Sequence, residues 1–424
     1  MNPAQESGRW GKAIRRLLAL VARPVRKGQG AHGTVIETYR GYGSRAEIFL
    51  IGRVFRQSHG DTQARPDDLR AHLRDIGRRI RRRRVPGATV AARFAGAEVT
   101  VTTDADGYFR INLHPQESFR DDVAWHPVAL TLDAEPPVHA TAEIFVPTAH
   151  CRFVVISDID DTVMHTGVAN KLKMLWRLFV ADAESRVAFP GAAALYRALH
   201  AGVGGNEANP MLYVSRAPWG VYDMLAVFFR MHGIPAGPVM FLREWGLSWR
   251  HPFPRRAEDH KRALIDHMLT LYHDRPFVLI GDSGQHDPEV YASIVEAYPA
   301  RVRAVYIRDV SRDPGRVAEI ERLAEAVSAA GSSLVLAPDS STIAEHAAGL
   351  GLIPSTALAE ILDERAMASG PARSAEPLRI GEATAQGTSA AVADGTLRAV
   401  LTRDDRNPAG VVVEAVDRDR AAAP

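Results

Sequence analysis

The stretch RFVVISDIDDT, residues 152–162, decides the fold of this chain. Its first part is an apolar run without alternation, which is typical of a strand buried on both faces of a parallel sheet. Similar runs follow, separated by helical patterns near residues 190–202, 219–232, 257–272 and 287–299: MLYVS (211–215), PVMFL (238–242), PFVLIG (276–281) and VRAVYIR (302–308). Such alternation predicts an α/β domain over residues 151–360, in which helices cover both faces of a parallel sheet.

Polar side chains follow these apolar runs, at the sheet edge where ligands bind in such a fold. The first strand leads into Asp158, Asp160, Asp161 and Thr162. Carboxylates so crowded repel one another unless a cation neutralises them, and their oxygens suit a hard divalent ion such as Mg2+. The sequence therefore predicts a magnesium site here. Further candidates lie on the later elements: Ser215, Lys261, Gly281, Asp282 and Asp287.

The order of these groups carries a family resemblance. A DxDxT strand end, a serine, a lysine and a GDSxxD-like acidic loop are similar to those of the haloacid dehalogenase superfamily. More specific strings are YVSRAPWGVYDML (213–225), REWG (243–246), DHK (259–261) and FVLIGDSGQHDPEVY (277–291). With them, residues 150–310 resemble the catalytic domain of the actin-patch type of phosphatidate phosphatase, a family with fungal and bacterial members. Arg216 and Ala217 stand where small polar residues are expected, which leaves the substrate open.

For the chemistry, the resemblance implies a phosphatase that works through a phosphoaspartate and has the Rossmann-like parallel sheet of the superfamily. Asp158 would attack the phosphoryl group while Asp160 protonates the leaving oxygen, and Asp160 would then activate water. Ser215 and Lys261 would bind the oxygens of the transferring group. In the alternative reading the aspartates cap helices and Lys261 is a surface charge, but their order along successive elements is then a coincidence.

For the metal, the resemblance implies that Mg2+ is bound by the carboxylates of Asp158 and Asp282 and by the backbone carbonyl of Asp160. Asp287 would complete this site or orient the lysine. Thr162 would bind substrate or fix its loop through the hydroxyl.

The implied reaction is hydrolysis of phosphatidate to diacylglycerol and phosphate. The insertion between Thr166 and Phe189 is too short for a large cap, so we expect an open site that a lipid headgroup can reach. The stretch KLKMLWRLF (171–179) either contacts headgroups or packs as a helix. Trp219 and Tyr222 either face the substrate or pack the start of a helix onto the sheet.

Two other functions remain open at this stage. One is a phosphatase for a soluble or nucleic-acid phosphoester, and the other is a membrane-binding scaffold with a vestigial phosphatase domain. The oligomeric state is unknown from the sequence.

Residues 1–94 are strongly basic, with 21 Lys and Arg against 7 Asp and Glu. Such a field attracts an anionic membrane surface, or alternatively nucleic acid. Residues 1–30 read as an amphipathic helix with Trp10, Ile14 and Leu17 on its apolar face. Such a segment either lies on an anionic bilayer or is a helix packed on the body of the protein or a frayed basic tail. We therefore expect a cytoplasmic protein that is peripheral at the membrane. The single cysteine, Cys151, excludes an internal disulfide framework and favours a reducing compartment.

Residues 31–150 read as a β-rich accessory domain similar to a small antiparallel β-sandwich, because short strands rich in β-branched and aromatic residues recur. One helix is predicted within it, from Pro66 to a run of arginines that ends at Arg84. These arginines either bind phosphates or are solvated at a helix end. Beyond the fifth strand of the catalytic domain, helices near 315–330 and 342–351 flank a further strand in SLVLAPDS, and residues 361–424 read as a disordered tail.

Overall fold

The computed structural model describes residues 28–29, 33–56, 83–159, 191–215, 222–231, 233–241, 257–311 and 313–369. Most of the helix predicted over residues 1–30, most of the predicted arginine-rich helix, and the Thr166–Phe189 insertion lie outside these residues. The described end of the first, Gly28–Gln29, is a strand and not helical. Two sheets and seven helices are present in the described part. None of its helices is long and apolar enough to cross a membrane.

The first sheet contains ten strands, which are antiparallel except where β3 runs parallel to β10. They are β1 (Gly28–Gln29), β2 (Thr34–Thr38), β3 (Gly41–Gly43), β4 (Ile48–Arg56), β5 (Arg83–Arg84), β6 (Thr89–Phe94), β7 (Ala97–Thr102), β8 (Tyr108–Leu113), β9 (Trp125–Leu132) and β10 (Val138–Phe145). Alternate residues of the longer strands point inward, and Val128, Leu130 and Leu132 on β9 are buried in its core. This confirms a β-rich unit before residue 150, whose limits as a domain stay a prediction.

The second sheet consists of six parallel strands in the order β13–β12–β11–β14–β15–β16. Their bounds are β11 (Val154–Asp158), β12 (Met211–Ser215), β13 (Val239–Phe241), β14 (Phe277–Asp282), β15 (Val302–Arg308) and β16 (Leu334–Ala337). The helices are α1 (Ala192–Ala201), α2 (Tyr222–Met231), α3 (Ala257–Leu271), α4 (Asp287–Ala297), α5 (Pro314–Ala329), α6 (Ser340–Gly349) and α7 (Ala357–Ser369). Successive residues of the central strand face different cores, since Val155 belongs to one cluster and Ile156 to another. The predicted α/β fold with helices on both faces is confirmed.

The two sheets share hydrophobic cores. Tyr39 and Ile51 of the first sheet region are buried in one cluster of the α/β unit, and Tyr42 is buried in the other. The Tyr39 ring packs edge-on against Tyr222 with 4.8 Å between ring centroids. The backbone N–H of Arg40 donates a 2.9 Å hydrogen bond to the Tyr222 hydroxyl. The antiparallel sheet is therefore packed against the α/β unit at the start of α2.

Two predictions about local structure are wrong. Arg83 and Arg84 do not end a helix, because they form β5 and pair with Arg56 and Phe55 of β4. The disordered tail does not begin at residue 361, because α7 continues to Ser369 and buries Ile361 in the core. Periodicity missed this last helix because it is rich in alanine and short charged side chains, which give a weak apolar stripe.

Candidate active site

Asp158 is the last residue of β11, the strand with a partner on each side near the middle of the parallel sheet. Its strand pairs with β12 on one side and β14 on the other, so the carboxyl ends of all three strands meet. The Asp158 side chain is buried. A buried carboxylate needs compensating charge or hydrogen bonds, because burial in an apolar medium disfavours the ionised form.

Lys261 supplies part of that charge from α3. Its side chain is only 2% exposed, and Nζ lies 3.2 Å from Oδ1 of Asp158. The same Nζ donates a short hydrogen bond to Oδ1 of Asp287, the first residue of α4. One ammonium thus joins the candidate nucleophile to a second buried carboxylate, which is the arrangement that can also neutralise a phosphoryl group.

The loop between β14 and α4 brings two further carboxylates to this point. Asp282 ends β14, and its backbone N–H donates to Oδ2 of Asp287 at 3.3 Å. Gly281 makes this approach geometrically feasible, since a Cβ atom there would lie 2.3 Å from Oδ2 of Asp287. Pro288 and the acidic residues at the start of α4 suit a helix N-terminus.

Asp158, Asp282 and Asp287 form a group that could hold a metal ion. One carboxylate oxygen from each can be chosen so that all three lie within 4.8 Å of one another, and all three residues are buried. Oxygen donors of this hardness suit Mg2+. The residues present therefore fit the divalent cation predicted from the sequence.

Two residues of the site were not assigned a role by sequence reasoning. Arg308, the last residue of β15, is buried, and its Nη2 lies 4.0 Å from Oδ2 of Asp282. Gln285 places its side-chain Nε2 3.4 Å from Oδ2 of Asp158 and 3.2 Å from Oδ2 of Asp282. Arg308 ends a strand of the predicted set and Gln285 lies inside the quoted acidic loop, but spacing alone assigns no role to either residue.

A second set of contacts holds the acidic loop from outside. Arg316 of α5 donates to the backbone oxygens of Ser283 at 3.0 Å and Gln285 at 2.7 Å, and it pairs with Glu289. Burial acts to raise the pKa of Glu289, but the hydrogen bonds to its carboxylate, first of all from Arg316, and the nearby positive charge together outweigh burial, so this pKa is lowered. The hydroxyl of Ser283 accepts hydrogen bonds from the backbone N–H groups of Val310 and Ser311, each at 2.9 Å.

Tyr291 of α4 shows the electrostatic effect of the acidic group on its surroundings. Burial, and next the charges of the three carboxylates, raise the pKa of its hydroxyl well above its usual value. The hydroxyl therefore stays protonated and donates to the backbone oxygen of Ile280 at 3.1 Å, which ties α4 to β14.

The structure brings together Asp158, Lys261, Asp282 and Asp287 as predicted. Ser215 is buried at the end of β12, one residue beyond Val214, which pairs with Asp158. Asp160, Asp161 and Thr162 lie outside the described residues, as do Trp219 and the KLKMLWRLF stretch. Tyr222 packs on Tyr39, so for this residue the reading as a packed helix start is the one confirmed.

Comparisons with known proteins match the segment of the chain that contains this site. Residues 153–309 match the family model for the catalytic domain of phosphatidate phosphatase APP1. Phosphatidate phosphatase APP1 of Saccharomyces cerevisiae is 28% identical over 190 residues, which cover 43% of this chain and 31% of that protein. An uncharacterized protein of Schizosaccharomyces pombe is 27% identical over 220 residues, covering 51% of this chain and 35% of that protein. The chain thus spans about a third of the length of these curated relatives.

Among solved structures, a carbohydrate acetylesterase from Xanthomonas citri is 12% identical, covering 62% of this chain and 66% of its own, with a TM-score of 0.22. That score does not indicate a shared fold. The sequence comparisons nevertheless confirm the resemblance inferred above: residues 153–309 are similar to the catalytic domain of phosphatidate phosphatase APP1.

Proposed function

We propose that this chain is a haloacid dehalogenase-like phosphomonoester hydrolase that works through a phosphoaspartate on Asp158. One observation carries the proposal. Asp158 is buried at the end of a central parallel strand, with Lys261 Nζ 3.2 Å from its Oδ1. The two other buried carboxylates of the candidate metal group lie beside it. A nucleophile, a cation-binding group and a fixed positive charge are thereby concentrated in one place.

Charge balance supports a dianionic substrate in the presence of a divalent cation. The described buried side chains of the site are three carboxylates and two cations, Lys261 and Arg308, with a formal charge of −1. A bound Mg2+ would change this to +1, so a phosphate monoester dianion is attracted only to the cation-loaded site. When bound, the cation neutralises the developing charge on the phosphoryl oxygens as a Lewis acid.

In the proposed reaction an oxygen of Asp158 attacks phosphorus while the bond to the leaving alkoxide breaks. Asp160 donates the proton that the leaving oxygen takes up, and it later removes a proton from the water that hydrolyses the acyl phosphate. Lys261 binds the transferring oxygens together with the Ser215 hydroxyl. Asp287 accepts a hydrogen bond from Lys261, so the ammonium stays at the reacting centre.

We further propose phosphatidate as the substrate and an anionic membrane surface as the partner. The first rests on the similarity of residues 153–309 to a catalytic domain named for that activity. The second rests on the excess of Lys and Arg in residues 1–94, which favours anionic headgroups. Domain limits at about 30 and 150 and a peripheral cytoplasmic location belong to the same proposal.

The deciding experiment measures phosphate release from phosphatidate in mixed micelles and from a panel of soluble phosphoesters, with Mg2+ and with chelator. We expect magnesium-dependent release from phosphatidate, and none from Asp158→Asn, because an amide cannot form the phosphoenzyme. The matched control is Asp363→Asn, since Asp363 is exposed on α7.

Three results would contradict parts of the proposal. Turnover by Asp158→Asn near the wild-type rate would exclude the covalent mechanism. Turnover in chelator would exclude the metal site. Preference for a soluble or polynucleotide phosphoester over phosphatidate would replace the lipid substrate with the alternative.

A further inference from the structure

Gln285 contacts both carboxylates that the proposed cation would bridge. Its Nε2 lies 3.4 Å from Oδ2 of Asp158 and 3.2 Å from Oδ2 of Asp282. Both neighbours are acceptors, which fixes the amide with its N–H groups toward them. Each N–H bond of the Gln285 amide can therefore donate to one carboxylate.

The first oxygen of each carboxylate faces a different group. Oδ1 of Asp158 lies 3.2 Å from Lys261 Nζ, and Oδ1 of Asp282 accepts from the backbone N–H of Gly284 at 2.9 Å. The Oδ2 atoms therefore form the pair that faces Gln285. A cation held by Asp158 and Asp282 would compete with the Gln285 amide for these carboxylates and would repel its hydrogens.

The position of Gln285 is set by its backbone. Arg316 donates to the Gln285 backbone oxygen at 2.7 Å and to that of Ser283 at 3.0 Å. The side chain can therefore turn away from the carboxylates without unfolding the loop. Arg316 itself is fixed by its pairing with Glu289, with Nη2 2.9 Å from Oε2.

We infer that Gln285 is a positioning residue that takes the place of the cation between Asp158 and Asp282 when the metal is absent. The inference rests on the cation site of the proposed function. In the cation-free protein the amide lowers the repulsion between two buried carboxylates without adding charge. Cation binding breaks these two hydrogen bonds, so Gln285 lowers the affinity for Mg2+ while keeping the empty site in its binding geometry.

The test uses the full chain stripped of metal and titrates it with MgCl2 by calorimetry. Gln285→Met keeps the length of the side chain but has no N–H donor. The substitution removes hydrogen bonds only from the cation-free state. We therefore expect the association constant of the variant for Mg2+ to rise about tenfold, which corresponds to the net free energy of one such hydrogen bond. We also expect a lower thermal midpoint in chelator, with a smaller difference from wild type at saturating Mg2+. Gln116→Met is the matched control, since Gln116 is exposed in the loop that follows β8.

Unchanged or weaker Mg2+ binding by Gln285→Met would overturn the inference, as would a wild-type protein that binds no Mg2+. A thermal defect of equal size with and without Mg2+ would assign Gln285 a structural role instead and would also overturn it. Phosphate release is measured in parallel on wild type. If wild type binds Mg2+ and the variant binds it tighter, yet no phosphoester is hydrolysed, the inference stands and the proposed activity fails.

Discussion

Lys261→Met is the substitution whose effect on stability the structure predicts most directly. The ammonium is buried between Asp158 and Asp287. The Lys261 side chain is 2% exposed and that of Asp158 is 1% exposed. Methionine fills a similar volume but leaves two carboxylates beside each other without this charge. Removing one partner of a buried ion pair costs about 3–5 kcal/mol, because the other charge is left uncompensated.

For a folded unit of about 150–250 residues, each kcal/mol lost from the free energy of unfolding lowers the thermal midpoint by about 2–4 °C. We therefore expect the thermal midpoint of Lys261→Met in chelator to be roughly 6–20 °C below that of wild type. Saturating Mg2+ should recover part of this decrease, since the cation supplies positive charge to the same carboxylates. The double variant Lys261→Met/Asp287→Asn should lose less than the single variant, because one of the two carboxylates is then neutral.

The measurement is thermal unfolding followed by circular dichroism, in chelator and in Mg2+, for wild type and both variants. Arg262→Met is the control, because that neighbouring side chain on α3 is 40% exposed. A midpoint for Lys261→Met within about 2 °C of wild type in chelator, below the shift of one kcal/mol, would refute the reasoning. A double variant that is less stable than the single variant would refute the assignment of the cost to Asp287.

Three further predictions concern pH, the thiol and the membrane. The pKa of Glu289 is lower in the folded protein than its value of about 4.3 in the unfolded chain. The ionised carboxylate therefore stabilises the fold above a pH of about 4.3, and this stabilisation is lost as the pH falls through the folded-state pKa. In urea unfolding from about pH 3 to 6, Glu289→Gln should therefore show a flatter acid limb than wild type; an identical slope would contradict this. Burial raises the pKa of Cys151 to about 11, so iodoacetamide at neutral pH should label it only after denaturation, and rapid labelling of folded protein would count against burial. Removing residues 1–30 should reduce co-sedimentation with anionic vesicles and activity on bilayer phosphatidate, with a smaller loss on a monomeric short-chain substrate; equal losses on both would place that segment in the folded body.

The parallel sheet could be predicted from the sequence because each of its strands is a continuous apolar run. Burial on both faces removes alternation, and the run itself becomes the signal. The site followed from the same pattern, since Asp158 and Asp282 are the residues at which two neighbouring strands end.

The antiparallel sheet was predicted less completely. Gly41–Gly43 forms a strand of only three residues, two of which are glycine, and Thr34–Thr38 is β-branched but only five residues long. One partner of Gly41–Gly43 lies far along the chain, since Gly41 pairs with Ile144, and no local pattern encodes such a pairing. The same applies to Arg83–Arg84, whose β conformation depends on β4 and not on their own preference.

Within the site, the roles of Gln285 and Arg308 could not be deduced from spacing alone. Gln285 acts through an amide that reaches across to β11, and its contact with Asp158 spans 127 positions of sequence. Arg308 ends a strand of the predicted set, but a terminal arginine is usually solvated, and only its burial beside Asp282 distinguishes it.

The shared core between the two sheets has a consequence for the order in which the chain folds during synthesis. The first sheet is made first and has its own core, so it can form early. Its residues Tyr39, Tyr42 and Ile51 nevertheless belong to clusters whose other members come from the parallel sheet and its helices. An apolar patch on the newly synthesised sheet therefore stays exposed, and accessible to chaperones, until α2 and α3 emerge from the ribosome. Maturation of the whole protein is completed only when the phosphatase half covers it.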